Sequence, residues 1–544
     1  METFSNAEYR SFLISHFSFL ICHLPFVMDQ DHFEETPEQA VSRLRKEVGY
    51  GRLDLRSDLV VALTDWAGFL AEKKRHHESI QCYDELIALC RELLDEGQIE
   101  YRTPLARARI YRLLETAETQ PVADVIAEFR RAITYLESHL ADGHEQYREN
   151  LAETYMYLSD FLRMKHLSPS AALAHSDRAL DTWRTLIDEG ETEWRPVYAA
   201  ALVSKGSLLR EIGDCHAAIA VFKESEEVQK HLLDEGMSEA AVELLRCYVF
   251  QAETYSHFQH FEQAHRLFDQ TIAYCRKLAE DRPQDVYGWL PLLLVDKARV
   301  YREEWQFPGA LEIYEQAVRE FEKERRSVPN AVNLLNPQES RDDYADLRIG
   351  HIRSSCGCLL HDLERYDDSL RAFADAIKHY DAVEARGMVS VQVDKCLVRL
   401  NLAKALLDAG REQEAVEIQC RSITLLQKWI AQGHSSLRVN LAQAFRELGV
   451  ALYHTGRDEE ALVLFEESIS LWRVLLDEGQ LEKREQLAHA LLVRSDYFAE
   501  KKQWDKALPG YLESTRICGE LLEEDNWQVA VPLAQRLLKM RNEK

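Results

Sequence analysis

A short phrase of leucine, acidic residues and glycine recurs along this chain at a nearly constant interval. Clear copies end at Gly97, Gly143, Gly190, Gly236 and Gly479, and weaker copies end at Gly387 and Gly433. Wherever two copies are adjacent, their glycines lie 46 or 47 residues apart. A fixed period of this length is typical of a stack of similar units, each packed on its neighbours, and not of a compact enzyme domain.

Between two of these glycines, the apolar residues follow the 3.6-residue period of two amphipathic helices. In the interval before Gly236, apolar residues recur from Ala201 to Leu209, Gly213 marks a turn, and a second apolar stripe runs from Ala217 to Leu233. A glycine just after the last apolar residue supplies the left-handed backbone that ends a helix. The sequence therefore predicts an all-α chain and gives no support for strands.

Composition and charge limit the classes of function. Of the 544 residues, 46% are hydrophobic and 29% are charged, so the chain can bury a core. A net charge of −27 makes the whole chain a poor ligand for nucleic acid, and we expect no membrane insertion. The 11 cysteines have no framework spacing, which predicts reduced thiols in a cytoplasmic protein. Six are expected to pack at apolar helix positions: Cys82, Cys90, Cys247, Cys275, Cys396 and Cys420.

Two intervals share a fuller set of small and aromatic residues. One contains Gly206, Leu209, Gly213, Ala218, Phe222 and Ser225, and the other Gly449, Leu452, Gly456, Ala461, Phe465 and Ser468. This pattern resembles the tetratricopeptide repeat family, whose units are antiparallel helix pairs. The small residue lets the two helices approach while the aromatic residue fills the space beside it. The resemblance implies a right-handed α-solenoid, or superhelix, of about ten helix pairs over residues 59 to 525.

The period and one proline depart from the family pattern. A period of 46 exceeds the usual repeat of about 34 residues, so both helices are expected to be longer by about a turn or more. Pro509 lies inside the last predicted second helix and is expected to bend or shorten it.

The repeat gives the following domain boundaries. Residues 1–27 are an uncertain extension, 28–58 an N-terminal cap helix region, 59–328 units 1 to 6, 329–343 an inserted loop or hinge, 344–525 units 7 to 10, and 526–544 a C-terminal capping helix. For the apolar N-terminal extension, three interpretations stay open: a start codon assigned too early with Met28 as the initiator, a signal or anchor, or a folded cap. The insert is interpreted as a surface loop or as a hinge between two half-solenoids.

No motif of catalysis is present. The chain lacks a phosphate-binding loop, the nucleophile and zinc motifs of hydrolases, and a kinase motif set, so we predict no enzymatic activity and no cofactor. His351, Cys358 and His361 share one face of a predicted helix, which raises a metal site as a hypothesis. One straight helix cannot wrap three ligands around a metal, so ordinary surface residues are the favoured interpretation.

In the resembling family, the first helix of each pair, helix A, lines the concave groove. That resemblance implies a partner-binding set of eight basic residues here: Arg107, Arg163, Arg210, Arg246, Arg299, Arg302, Lys404 and Arg446. Guanidinium groups recognise carboxylates through a rigid two-pronged fork, which favours an acidic or extended peptide as the ligand. The alternative is that these arginines pair with acids of neighbouring helices, such as Glu211, Glu253 and Glu303.

The sequence therefore predicts a non-enzymatic scaffold that binds a partner protein or an extended peptide, and it does not name the partner. The alternative is a regulatory sensor whose superhelix changes shape when it binds a small molecule or a peptide.

Overall fold

The computed structural model describes residues 36–72, 75–117, 120–165, 167–327, 341–388, 391–478 and 483–523. These residues form 21 α-helices and no strand. The chain divides into two compact units, the first ending at Glu304 and the second beginning at Trp305. The predicted segments 1–27 and 526–544 lie outside the described residues, as do residues 329–340 of the predicted insert 329–343, whose last three residues begin a helix.

The first unit contains twelve α-helices within its described part. They are α1 (Pro37–Gly49), α2 (Arg56–Glu72), α3 (His76–Asp95), α4 (Arg102–Thr116), α5 (Val122–Ala141), α6 (Arg148–Met164), α7 (Pro169–Asp188), α8 (Arg195–Ile212), α9 (Cys215–Asp234), α10 (Ala240–His257), α11 (Phe261–Asp281) and α12 (Trp289–Glu303).

The second unit contains nine α-helices within its described part. They are α13 (Phe307–Ser327), α14 (Arg341–Asp362), α15 (Tyr366–Ala385), α16 (Val391–Asp408), α17 (Glu412–Ala431), α18 (Arg438–His454), α19 (Asp458–Asp477), α20 (Arg484–Glu500) and α21 (Trp504–Glu523).

Along the sequence, α2 to α21 form ten consecutive pairs, which confirms the predicted all-α, repeat-based solenoid. We call the even-numbered helices from α2 to α20 the A helices and the odd-numbered helices from α3 to α21 the B helices. The right-handed sense of the superhelix stays a prediction. No helix in the described ranges is both long enough and apolar enough to cross a membrane.

The recurring glycine follows the ends of the B helices α3, α5, α7, α9, α15 and α17, as predicted. Gly97, for example, has φ 90° and donates its backbone N–H to the carbonyl of Leu94, while Gln98 donates to Leu93. The left-handed backbone that glycine adopts at low cost lets these two amides reach the last turn of the helix. Positive φ recurs at Gly143, Gly190, Gly236, Gly387 and Gly433. Gly479 lies outside the described residues.

The glutamate of the same phrase has a second role, which the sequence did not reveal. It accepts hydrogen bonds from the arginine that begins the A helix of its own pair, about 40 residues earlier. The shortest N–O distances are 2.6 Å for Arg56–Glu96, 2.5 Å for Arg148–Glu189, 2.6 Å for Arg195–Glu235 and 2.7 Å for Arg438–Glu478. The phrase therefore joins the start of each of these A helices to the end of its B helix.

Pro509 does not shorten its helix, and Cys420 is not buried as expected. Pro509 lies inside α21, which has 20 residues, like α19. A bend at Pro509 stays a prediction. A proline in the second turn removes one backbone hydrogen bond near the start and leaves the later turns intact. Cys420 is exposed because it lies on the solvent side of α17, whereas the other five cysteines assigned to apolar positions are buried.

In three helix pairs, a glycine of helix A packs directly against a phenylalanine ring of helix B. A β-carbon built at Gly206 would lie 2.5 Å from the Phe222 ring, and the same holds at 2.6 Å for Gly357 with Phe373 and at 2.5 Å for Gly449 with Phe465. Real β-carbons do not approach a ring this closely, so any larger residue displaces the aromatic side chain. The predicted role of the small residue is confirmed.

We expect Gly206→Ala to lower the free energy of unfolding by about 1–3 kcal/mol, because the added methyl group overpacks the Phe222 site. Chemical denaturation with helicity followed by circular dichroism measures this change. Gly68→Ala in α2 is the matched control, since no heavy atom lies within 4 Å of its added β-carbon. The control should be neutral or stabilising by up to about 1 kcal/mol. Equal stability of the two variants would contradict the packing argument.

Candidate functional site

Consecutive A helices touch one another and form a continuous side of each unit. Contacts join α4 to α6, α6 to α8, α8 to α10 and α10 to α12 in the first unit, and α14 to α16, α16 to α18 and α18 to α20 in the second. We call the polar side chains along these junctions the helix A face; they run from Arg107 to Arg302 in the first unit and from His351 to Gln486 in the second. All eight predicted basic residues lie on A helices.

The centre of the first unit's helix A face is a four-residue ion-pair network. Arg210 on α8 donates to Glu253 on α10 over 3.1 Å, and Arg299 on α12 donates to the other oxygen of Glu253 over 2.8 Å. Arg299 also donates to Asp296 over 2.6 Å. The side chains of Arg210, Glu253 and Arg299 are only 18–19% exposed, so water screens this network weakly. The network fixes the positions of two predicted ligand-binding arginines.

Two further arginines of the set lie against acids on this face. Arg163 donates to Glu211 on α8 over 3.2 Å. Arg107 lies 3.6 Å from Glu149 and 3.5 Å from Glu153, both on α6. These separations are longer than an ordinary hydrogen bond, so Arg107 is shared loosely between two carboxylates.

Arg246 and Arg446 also have polar neighbours. Arg246 is 5% exposed and lies 3.1 Å from Glu243, one turn earlier on α10. Arg446 on α18 donates to the side-chain oxygen of Gln486 on α20 over 3.3 Å and lies 3.9 Å from the carboxylate of Glu447. Both side chains are therefore held by contacts within their own unit.

Arg302 and Lys404 differ from the other six. Within the described ranges neither has an ion pair, and Arg302 is partly exposed on α12 while Lys404 is exposed on α16. The charges of Arg302 and Lys404 are thus the two in the predicted set that no carboxylate of the described residues neutralises.

The alternative interpretation, that the arginines pair with acids of neighbouring helices, is confirmed at Glu211 and Glu253. Glu303 instead accepts a hydrogen bond from Ser256. The partners lie 43 to 48 residues apart in sequence, about one repeat period. A spacing of about one repeat period is therefore the sequence signal for such an ion pair. Glu149 and Glu153 lie at this spacing from Arg107, a pairing that the sequence analysis did not predict.

The proposed metal cluster of the second unit is a set of separate pairs. His361 contacts Asp408 on α16 over 2.6 Å, His351 lies 3.8 Å from Asp394, and Cys358 accepts a weak hydrogen bond from Asn401. A hydrogen bond with Asp362 raises the pKa of His361, and the hydrogen bond with Asp408 acts in the same direction. In the part of the chain that the structure describes, no group of three or more metal-ligating side chains is arranged to hold an ion.

The tetratricopeptide repeat family model matches residues 441–481, of which 441–477 belong to the ninth helix pair, α18 and α19. The resemblance drawn from the sequence is thereby confirmed. The comparison with curated proteins gave no match.

Several solved structures are similar in their helical fold. The apo form of RapI is 11% identical, covers 78% of this chain and 99% of its own, and gives a TM-score of 0.45. The apo form of the quorum sensor NprR from B. thuringiensis is 12% identical, with 74% and 99% covered and a TM-score of 0.43. BtubC (BKLC) from P. vanneervenii is 19% identical, with 48% and 92% covered and a TM-score of 0.37.

We expect Glu253→Gln to lower the free energy of unfolding by about 1–2 kcal/mol, since two largely buried guanidinium groups lose the charge of their shared carboxylate. Urea denaturation of both proteins measures this difference. Glu262→Gln is the control, because Glu262 is 82% exposed and its pair with Arg266 lies on the surface of α11. The control should change stability by less than about 0.5 kcal/mol. A loss of the same size in both variants would contradict a structural role for the network.

Proposed function

We propose that this protein is a non-enzymatic scaffold that binds a partner protein or an extended peptide along the helix A face of its first unit. The observation that carries the proposal is the continuous row from α4 to α12, in which each A helix touches the next and side-chain ion pairs hold the charged groups in place. Charged groups that are already fixed lose little freedom when a ligand binds.

The dimensions of this row suit an extended chain. Packed helices lie about 8–10 Å apart, and an extended peptide advances about 3.3 Å per residue. A peptide laid across the A helices therefore meets a new helix about every three residues. Polar side chains repeated at that interval contact successive residues of an extended peptide, whereas an open row of helices does not enclose a small molecule.

Arg302 is the residue best suited to recognise an acidic side chain of the peptide. Its guanidinium group has no ion pair among the described residues, so a ligand carboxylate gains the pairing without displacing an internal acid. Arg210 and Arg299 already share Glu253, and a ligand would have to compete with that carboxylate. The acidic part of the ligand is therefore proposed to lie at α12.

Selection of peptides from a random 12-residue library on the wild-type protein tests this function. We expect the enriched peptides to carry Asp or Glu, and Arg302→Glu to weaken a selected peptide at least tenfold in fluorescence anisotropy, because the substitution places like charges together. Arg266→Glu is the control, since Arg266 is 66% exposed on the B helix α11.

The result that would overturn the proposal is an absence of enriched peptides, or equal binding by wild type and Arg302→Glu. Helicity measured by circular dichroism must be the same in all three proteins.

One alternative is kept, a regulatory sensor that changes shape when it binds its ligand. The observation that favours it is the division of the chain into two compact units. Small-angle X-ray scattering with and without a selected peptide separates the alternatives: a sensor changes its radius of gyration, and a rigid scaffold does not.

A further inference from the structure

One position on the first unit's helix A face has the opposite charge to the predicted arginine set. Glu149 and Glu153 lie one turn apart on α6 and share Arg107 as their nearest cation, at 3.6 and 3.5 Å. Two carboxylates with one guanidinium leave a formal excess of negative charge. Glu191 and Glu193, in the segment before α8, also act electrostatically on Glu149 and add to this excess.

Glu153 is the unusual member of this cluster. It is 1% exposed, and neither of its carboxylate oxygens accepts a hydrogen bond from any described residue. Asn150, one turn earlier on α6, is fully buried and also has both amide atoms unpartnered within the described residues. Buried carboxylates in proteins are nearly always hydrogen-bonded, because an unpaired one loses its hydration without replacement. Apart from Arg107 at 3.5 Å, Glu153 therefore has no donor among the described residues, at a place where the surrounding charge favours a cation.

We propose that Glu149 and Glu153 form a binding site for a primary ammonium group, such as a lysine side chain or the amino terminus of a bound peptide. An ammonium group presents three N–H donors from one compact charge, enough to reach two carboxylates one helical turn apart. The side chain of Glu149 is 27% exposed, so in this proposal the ligand contacts Glu149 first and Glu153 behind it. This inference rests on the proposed function, because it assigns the chemistry of one position on the same face.

The protonation of Glu153 couples this site to pH. Burial raises the pKa of Glu153 to about 7, with Arg107 acting against the shift and Glu149 adding to it; burial likewise raises the pKa of Glu149. On the other side of α6, the hydroxyl of Tyr155 donates a hydrogen bond to Glu137 of α5 and accepts one from Arg178 of α7. Because only the ionised carboxylate attracts an ammonium group, binding displaces the proton of Glu153 into the buffer. Affinity should fall about tenfold from pH 8 to pH 6.

Isothermal titration calorimetry with n-butylammonium chloride, which has the end group of a lysine side chain, tests the site on the full-length protein. The neutral molecule n-butanol is the matched ligand, and sodium chloride keeps the ionic strength constant. We expect saturable binding of n-butylammonium at pH 8 and none of n-butanol. At pH 6.5, titration in two buffers of different ionisation enthalpy should show release of most of one proton per site.

Glu153→Gln should reduce n-butylammonium binding at pH 8 at least tenfold and abolish the proton release. Glu149→Gln, closer to the surface, gives a second measurement if Glu153→Gln alters the fold. Glu128→Gln is the control, since Glu128 is half-exposed on the B helix α5. Equal binding by wild type and both site variants, or no binding by the wild type, overturns the inference. If n-butylammonium does not bind but peptides bind in an Arg302-dependent way, the ammonium site is rejected and the proposed function stands. If n-butylammonium binds but no peptide does, the proposed function is rejected and the ammonium site stands.

Discussion

The contact between a small residue of helix A and an aromatic ring of helix B sets the geometry of the helix pairs. At Gly206, Gly357 and Gly449 the ring of a phenylalanine 16 residues later occupies the space that a side chain would fill. A buried serine then fixes the pair: Ser225 and Ser468 each donate a hydrogen bond to a helix A carbonyl 26 residues earlier. Because the interior is close-packed, this local spacing also determines where the next pair packs.

The charged side chains serve this packing at recurring intervals. Lys205 pairs with Asp177 and Lys297 with Asp269, each joining an A helix to the B helix of the previous pair, 28 residues back. Arg56 and Arg195 each pair with a glutamate 40 residues later, at the end of the B helix of the same pair. Arg163 and Arg210 each pair with a glutamate 43 to 48 residues later, on the next A helix. In a solenoid each repeat contacts only the repeats next to it, so an ion pair that stabilises one junction can recur at the others. A basic residue on helix A is therefore more often a structural cross-link than a ligand-binding group.

This observation changes how the helix A face is interpreted. The arginine set predicted from the sequence suggested a positive surface, but Arg163, Arg210 and Arg299 each have a carboxylate within 3.2 Å. What distinguishes positions along the face is the balance of charge at each junction. Arg302 has no ion pair within the described residues, whereas Glu149 and Glu153 share a single cation. A ligand with a carboxylate at one position and an ammonium group at another matches both.

The sequence by itself determined the repeat, the helix pairs and the helix ends. These depend on signals within a few residues or one period: the apolar spacing, a glycine that adopts positive φ at Gly97, and the pairing of Gly206 with Phe222. Only the tertiary structure decided which arginines are paired, since Glu253 accepts from two helices that lie on either side of its own. It also decided that Glu153 is buried without hydrogen bonds. Exposure and partner choice depend on how neighbouring helices pack around a residue, and a linear pattern of charges does not contain that information.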